Sequence, residues 1–149
     1  MTEVRFYHLT RTTLEAALPR MLEKTIERAQ RAVVLAGSPE RVEALNAWLW
    51  TYNERGFLPH GSAQDGHGGD QTIWLTHEDE RPNGAQVLFL TDGADSRNLA
   101  DYDLCAVLFD GNDSDAVAAA RDRWRVFAEA GHDVTYWQQT DAGKWEKKA

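Results

Sequence analysis

The amino-acid sequence predicts an α/β protein with a three-layer αβα architecture, a mostly parallel sheet and a single domain over residues 1–149. Three observations predict this class. The first 50 residues read as strand, helix, strand, helix, which is typical of a parallel sheet covered by helices. Residues 32–37 (AVVLAG) form a short continuous apolar run, the pattern of a strand covered on both faces. Residues 71–76, 86–91 and 104–109 then predict three more strands.

The first two elements follow from periodicity. Residues 3–9 alternate, with Val4, Phe6 and His8 on one face, and predict a strand. Residues 10–30 predict a helix, because apolar side chains recur there at helical spacing. Pro19 lies inside this pattern, so the helix is expected to kink or restart there.

The second helix and the strands that follow it have clear boundary signals. Ser38 is expected to cap a helix over residues 39–50, with Pro39 at its first position. The link over residues 77–85 is short for a parallel crossover, so the strands on either side are either antiparallel or not neighbours. Residues 132–138 predict a last strand, and residues 140–149 a polar, frayed tail.

The third helix lies within residues 110–131 and is the most informative stretch. Asp113, Ser114 or Asp115 can cap it, and Gly131 can end it. At 100° per residue, its apolar residues separate into two arcs. The arc expected to face the core contains Ala116, Ala119, Ala120, Val126, Phe127 and Ala130. The neighbouring shoulder contains Val117, Trp124, Arg121 and Arg125.

This shoulder has two interpretations. Trp124 could cap the edge of the core while the arginines form a solvated face. Alternatively, two guanidiniums beside an indole suit a small anionic group carried on an apolar side chain. The formal net charge of −8 makes this basic island unusual within the chain. Arg123 points back toward the core arc, and we expect it to be structural and paired with a carboxylate.

Composition excludes several classes of function. An acidic balance, with a pI near 5.0, argues against strong direct binding of nucleic acid. The single cysteine, Cys105, lies in an apolar run and is expected to be a buried small residue. No signal peptide and no stretch long enough to span a membrane is expected. The prediction is therefore a cytoplasmic protein without a membrane segment.

The sequence offers little support for a cofactor or for catalysis. The segments after the first two strands, HLTRTT and AGSPER, lack the glycine spacing of phosphate-binding loops. Residues 59–70 contain His60, Asp65, His67 and Asp70, with His77 nearby. They could ligate a metal or form a flexible loop, but their spacing matches no zinc pattern. No serine or cysteine stands in a nucleophile motif. We expect no cofactor, no metal and no catalytic residue.

An aromatic segment at the end of the second helix completes the set of candidates. It contains Trp48, Trp50, Tyr52 and Phe57, four aromatic residues within ten positions. Three runs, LWTYNERGFLPHG, PNGAQVLFLTDG and AAARDRWRVFAEAGHDVTYWQQ, together resemble the chi subunit of bacterial DNA polymerase III, a clamp-loader accessory protein. The resemblance covers essentially the whole chain. It implies a Rossmann-like domain without enzymatic activity.

The resemblance also implies partners. Members bind the acidic, hydrophobic-ended C-terminal tail of single-stranded DNA-binding protein, and through a small partner, psi, they join the clamp loader. By motif position, the residues that would bind the tail are Trp50, Phe57, Val117, Arg121, Trp124 and Arg125. Trp124 replaces a tyrosine and Arg125 a lysine found in some members. Val117 stands where some members have a lysine, so one contact to the acidic stretch is expected to be missing.

The residues and the resemblance point to one mechanism. The last aromatic ring of the tail would enter a pocket formed by Trp50, Phe57, Trp124 and Val117, and Arg121 would pair with the terminal carboxylate. An arrangement with Trp50 and Trp124 on opposite sides of the molecule would contradict this pocket. Two other hypotheses remain open: a nucleotide- or metal-dependent hydrolase on the same scaffold, and a structural subunit whose aromatic segment contacts psi or another clamp-loader protein.

Overall fold

A computed structural model of the chain describes residues 2–52 and 58–149. Over these residues it contains eight β-strands and three α-helices. The strands are β1 (Glu3–Leu9), β2 (Ala32–Leu35), β3 (His60–Gly61), β4 (Ile73–Thr76), β5 (Val87–Leu90), β6 (Leu104–Asp110), β7 (Asp133–Gln139) and β8 (Trp145–Lys147). The helices are α1 (Leu14–Glu27), α2 (Pro39–Thr51) and α3 (Ser114–Glu129). None of these helices is long and apolar enough to cross a membrane.

All eight strands form one sheet in the order β3-β4-β2-β5-β6-β1-β7-β8. Every pairing is parallel except that of β7 with β8. The predicted three-layer α/β class is therefore confirmed. β2 lies between β4 and β5, so the strands flanking the short link over residues 77–85 are parallel but are not neighbours.

The direction in which the chain crosses the sheet decides which face each helix covers. After β1 and β2 the chain moves toward the β3 edge, whereas after β6 it moves toward the β8 edge. Because parallel crossovers are almost always right-handed, opposite directions of travel put the helices on opposite faces. α1 and α2 accordingly pack on one face, with Leu18, Leu22 and Leu45 in its core. α3 packs on the other face through Ala120 and Phe127.

Each helix begins at a side-chain cap. The side chains of Thr13 and Ser38 accept hydrogen bonds from Ala16 N and Arg41 N, respectively. At α3, the Asp113 carboxylate accepts hydrogen bonds from two backbone N–H groups of the first turn, at 3.0 and 3.4 Å. Gly131 follows α3 with a φ of +88°, which a residue with a side chain rarely adopts.

Pro19 does not restart the first helix, because α1 continues through it. A proline has no N–H to donate to the carbonyl four residues earlier, which here belongs to Glu15. That carbonyl instead accepts a hydrogen bond from the Trp48 indole N–H, at 2.6 Å. The proline therefore creates the acceptor through which α2 is attached to α1.

Two expectations about local structure are wrong. Residues 145–147 of the expected frayed tail form β8, which pairs with β7 from Trp137 to Gln139. Ala119 and Ala130 of the expected core arc are exposed, and so is Val126, at 60%. Val126 lies about 100° around the helix from Phe127, on the side away from the sheet.

Candidate protein-binding site

Four side chains of α3 form one continuous surface beside β7, which we call the α3 surface: Val117, Arg121, Trp124 and Arg125. The Trp124 indole is partly buried, with its ring 5.7 Å from Phe6 and 6.0 Å from Tyr136, measured between centroids. Val117 packs at the edge of the same apolar cluster. Arg121 and Arg125 are exposed. The structure therefore brings these four predicted residues together at the margin of the core.

Helical geometry explains this arrangement. Val117 and Trp124 are seven residues apart, so they lie almost one above the other on the helix. Arg121 and Arg125 are rotated from Val117 by about 40° and about 80°, which moves both guanidiniums from the sheet toward solvent. The tryptophan thus caps the edge of the core, as one interpretation held, and also presents part of its ring beside two cations.

The three arginines of α3 differ in what they bind. Arg123 donates hydrogen bonds to the backbone carbonyls of Ala94, at 2.5 Å, and of Gly93. It is inward-facing, as expected, but the expected carboxylate partner is wrong. Within residues 2–52 and 58–149, the side chains of Arg121 and Arg125 make no hydrogen bond or ion pair. Their charges are therefore available to a ligand.

Tyr136 of β7 extends the α3 surface and was missed from the sequence. Its ring packs against Trp124, and its hydroxyl lies 2.5 Å from Nδ1 of His8 in β1. Burial raises the pKa of Tyr136, and the nearby Arg121 partly opposes this shift. The alternation of β7 could have shown that Val134 and Tyr136 share a face, but nothing in the sequence pairs Tyr136 with His8.

Trp50 does not join this surface, so the expected single pocket is wrong. Its ring packs on His60 of β3, with centroids 4.4 Å apart, at the opposite edge of the sheet from β7. Six strand-to-strand steps separate β3 from β7, which amounts to roughly 29 Å along the sheet. In addition, α2 and α3 cover opposite faces. Phe57 lies outside the described residues.

The end of α2 carries a second exposed aromatic group, Trp50 packed on His60, which we call the α2 surface. Trp48 lies about 200° around the helix from Trp50 and points instead to α1, where its indole donates to the Glu15 carbonyl. Trp48 is 38% exposed and Trp50 is 50% exposed, which is high for tryptophan. His60 is buried beneath Trp50, with its ring nitrogens 2.6 Å from the Leu58 carbonyl and 3.2 Å from the Asn46 carbonyl. Both ring nitrogens of His60 therefore face backbone carbonyls rather than a ligand.

A cleft of about 790 Å³ opens at the carboxyl edge of the sheet, where β1 and β6 lead to opposite faces. Doubly wound sheets often bind ligands at this position. Five carboxylates line the cleft: Glu15, Asp92, Asp110, Asp113 and Asp115. Its guanidiniums, those of Arg11, Arg41 and Arg123, are already bonded to other groups of the chain. Asp113 also occupies the N-terminal amides of α3, so the cleft is poorly suited to a phosphate.

The described residues hold no group of three or more His, Cys, Asp or Glu side chains placed to bind a metal ion. Cys105 is fully buried in β6, and burial raises the pKa of its thiol. A buried thiol of this kind is a poor nucleophile, because the thiolate is the reactive form. The surfaces on α3 and α2 remain as the candidate sites among the described residues.

Comparisons with known proteins identify the family. The sequence model of the family described as "DNA polymerase III chi subunit, HolC" matches residues 1–135. The chain belongs to the DNA polymerase III chi subunit family. The resemblance carried by the three sequence runs is thereby confirmed. A protein of Rickettsia prowazekii (strain Madrid E), described as "Probable DNA polymerase III subunit chi", is 34% identical over 95 residues. The aligned part covers 64% of this chain and 58% of the length of that relative.

The match to the chi family includes the whole α3 surface. It ends at residue 135, one position before Tyr136. Membership therefore covers the elements that position Val117, Arg121, Trp124 and Arg125, whereas the contribution of Tyr136 rests on the geometry of this chain.

Proposed function

We propose that this chain is a non-catalytic subunit of the DNA polymerase III clamp loader that binds the C-terminal tail of single-stranded DNA-binding protein. It would act in the cytoplasm, linking the replication machinery to coated single-stranded DNA. Membership of the chi family supports the replication role. The observation that supports tail binding is the presence of two exposed guanidiniums, without partners among the described residues, beside the partly exposed ring of Trp124.

The chemistry of the α3 surface fits a peptide that ends in an aromatic residue with a free carboxylate. The terminal ring would pack against Trp124 and Val117, while Arg121 pairs with the carboxylate. Arg125, one turn along the helix, would attract acidic residues that precede the ring. An aromatic residue beside an arginine is a common composition for the centre of an interface. Trp50 has no part in this revised site.

Fluorescence anisotropy with a synthetic tail peptide tests the proposal. Arg121→Ala should cost about 2 kcal/mol of binding free energy, because it removes a charge-assisted pair. Arg20→Ala is a matched control, since Arg20 is also an exposed helical arginine but lies on α1. Added salt should weaken the wild type more than Arg121→Ala. Equal affinities for Arg121→Ala and Arg20→Ala would remove Arg121 from the role.

The α2 surface favours a second contact, with psi or another clamp-loader subunit. The half-exposed indole of Trp50, on the face opposite the α3 surface, could bind a second protein while the tail is bound. Trp50→Ala should therefore leave affinity for the tail peptide unchanged and reduce recovery of clamp-loader subunits with the tagged chain. Loss of tail binding in Trp50→Ala would contradict this division of the two surfaces.

The alternative of a hydrolase depends on the cleft at the carboxyl edge. Its acidic lining makes nucleotide binding unfavourable. A thermal-shift screen with nucleotides and divalent metals tests this alternative, because a ligand that binds the folded state raises its melting temperature. A stabilising nucleotide would favour the hydrolase.

A further inference from the structure

Tyr136 lies beside the α3 surface and combines a packed aromatic ring with a hydroxyl that is bonded to His8. Its ring contacts Trp124 and Phe109, with both centroid distances 6.0 Å, yet the residue remains partly exposed. Its hydroxyl is 2.5 Å from His8 Nδ1, a contact between residues 128 positions apart in the sequence. The bond to His8 fixes the position of the hydroxyl oxygen and uses part of its capacity for hydrogen bonds.

The imidazole of His8 is itself fixed on its other side. Its ring packs 5.1 Å from that of Phe109. A Cβ atom added at Gly111 would lie 1.9 Å from His8 Cδ2 and 2.0 Å from its Nε2. The ring therefore fills the space that a side chain at residue 111 would need. Because Cδ2 and Nε2 face Gly111, the Nδ1 edge is left to face Tyr136.

The chemistry of the contact decides what the Tyr136 hydroxyl can offer. A tyrosine hydroxyl has one proton to donate and two lone pairs that accept. When Nδ1–H of His8 donates to the oxygen, the tyrosine proton remains available to a ligand. Burial raises the pKa of Tyr136, so the hydroxyl keeps this proton at neutral pH. Tyr136 packs on Trp124, which lies one helical turn from Arg121, so the tyrosine and the guanidinium are on the same side of α3.

We propose that Tyr136 is a second carboxylate-binding residue of the α3 surface and that His8 positions it. The Tyr136 hydroxyl donates to the terminal carboxylate that Arg121 pairs with, while Nδ1–H of His8 holds the hydroxyl oxygen. The inference rests on the proposed tail binding and adds a specific prediction to it. Recognition of the free carboxylate therefore depends on a neutral donor as well as on a cation, and loss of either donor should weaken it.

The test compares two peptides of identical sequence, one with a free C-terminal carboxylate and one with a C-terminal amide. The affinity of the free-carboxylate peptide divided by that of the amide peptide isolates the contribution of the carboxylate from that of the aromatic ring. Tyr136→Phe should reduce this ratio about tenfold, the effect expected for one hydrogen bond to a charged group. Binding of the amide peptide should change little, because the aromatic ring is retained. Tyr7→Phe is the matched control, since Tyr7 lies on the opposite face of the sheet.

His8 is tested through its partner. His8→Leu should reduce the same ratio, and the double variant His8→Leu/Tyr136→Phe should lose no more than Tyr136→Phe alone, because His8 acts through the hydroxyl. A purely structural role would instead weaken both peptides equally. Melting curves of each variant establish that the comparison is made between folded proteins.

The outcomes separate this inference from the proposed function. If the wild type binds neither peptide, both are overturned. If the wild type prefers the free carboxylate and Arg121→Ala abolishes the preference while Tyr136→Phe preserves it, tail binding is supported and the role of Tyr136 is overturned. If the two losses of His8→Leu and Tyr136→Phe add, the positioning role of His8 is overturned.

Discussion

We expect substitutions to separate two arginines of α3: Arg123, which bonds the segment after β5, and Arg121, which we propose binds the tail. Arg123 donates to the carbonyls of Gly93 and Ala94 in the segment that follows β5, and so attaches that segment to the helix. Arg121, two residues earlier, points to solvent on the other shoulder. Replacing each arginine by alanine in turn tests whether its position on the helix determines if it stabilises the fold or binds the tail.

The expected loss for Arg123→Ala follows from its two hydrogen bonds. A hydrogen bond to a charged group contributes roughly 1.5–3 kcal/mol when buried. One of the two bonds here is part-buried and the other is exposed, so we expect a total near 2 kcal/mol. For a domain of this size, such a loss lowers the melting temperature by roughly 4–8 °C. Arg121→Ala should change the melting temperature by only about 1 °C, because it removes no internal contact.

Two measurements on the same samples make the comparison decisive. Thermal unfolding followed by circular dichroism gives stability, and peptide anisotropy gives affinity. Arg123→Lys is an informative intermediate, since a single ammonium group cannot reproduce the guanidinium fork and should restore only part of the stability. The reasoning is refuted if Arg123→Ala leaves the melting temperature unchanged while tail binding is lost.

Two further predictions concern stability. Trp48→Phe should lower the free energy of unfolding in urea by about 1 kcal/mol, because the Glu15 carbonyl loses its donor. Adding Pro19→Ala should recover this loss, because residue 19 then supplies a backbone N–H to the same carbonyl. An unchanged loss in the double variant would contradict this explanation. Stability should also fall at alkaline pH, because burial raises the pKa of Tyr102 to about 12 and also raises that of the Cys105 thiol. Unfolded chains release these protons from about pH 8.5 for cysteine and about pH 10 for tyrosine, so the stabilisation is complete below that range and is lost as the pH rises toward 12. Tyr102→Phe should remove about 2 kcal/mol of this dependence, measured as the free energy of unfolding against pH, and an unchanged slope would show that Tyr102 ionises freely.

The local elements were predictable because their signals are local. The cap at Ser38, the glycine after α3 and the apolar run of β2 each depend on a few consecutive residues, and the structure has an element at each of them. The α3 surface was predictable for the same reason, since a rigid helix converts spacing directly into direction. The short edge strands β3 and β8 were missed, because two or three residues carry too little periodicity to detect.

The place of Trp50 was not predictable from spacing or composition. It depends on the order of strands in the sheet, which sends the chain one way after β2 and the other way after β6. Periodicity within a segment contains no information about that order. Trp50 and Trp124, which the sequence analysis assigned to one pocket, therefore belong to surfaces on opposite faces of the sheet.

By itself, the sequence determined the α/β class, the family and the grouping of Val117, Arg121, Trp124 and Arg125 on one side of a helix. Each of these depends on residue types at fixed separations along the chain. The tertiary structure alone decided that Trp50 packs on His60, away from α3, and that the Tyr136 hydroxyl contacts His8. Both depend on which strands become neighbours, and that is settled by packing across the whole sheet rather than within any one segment.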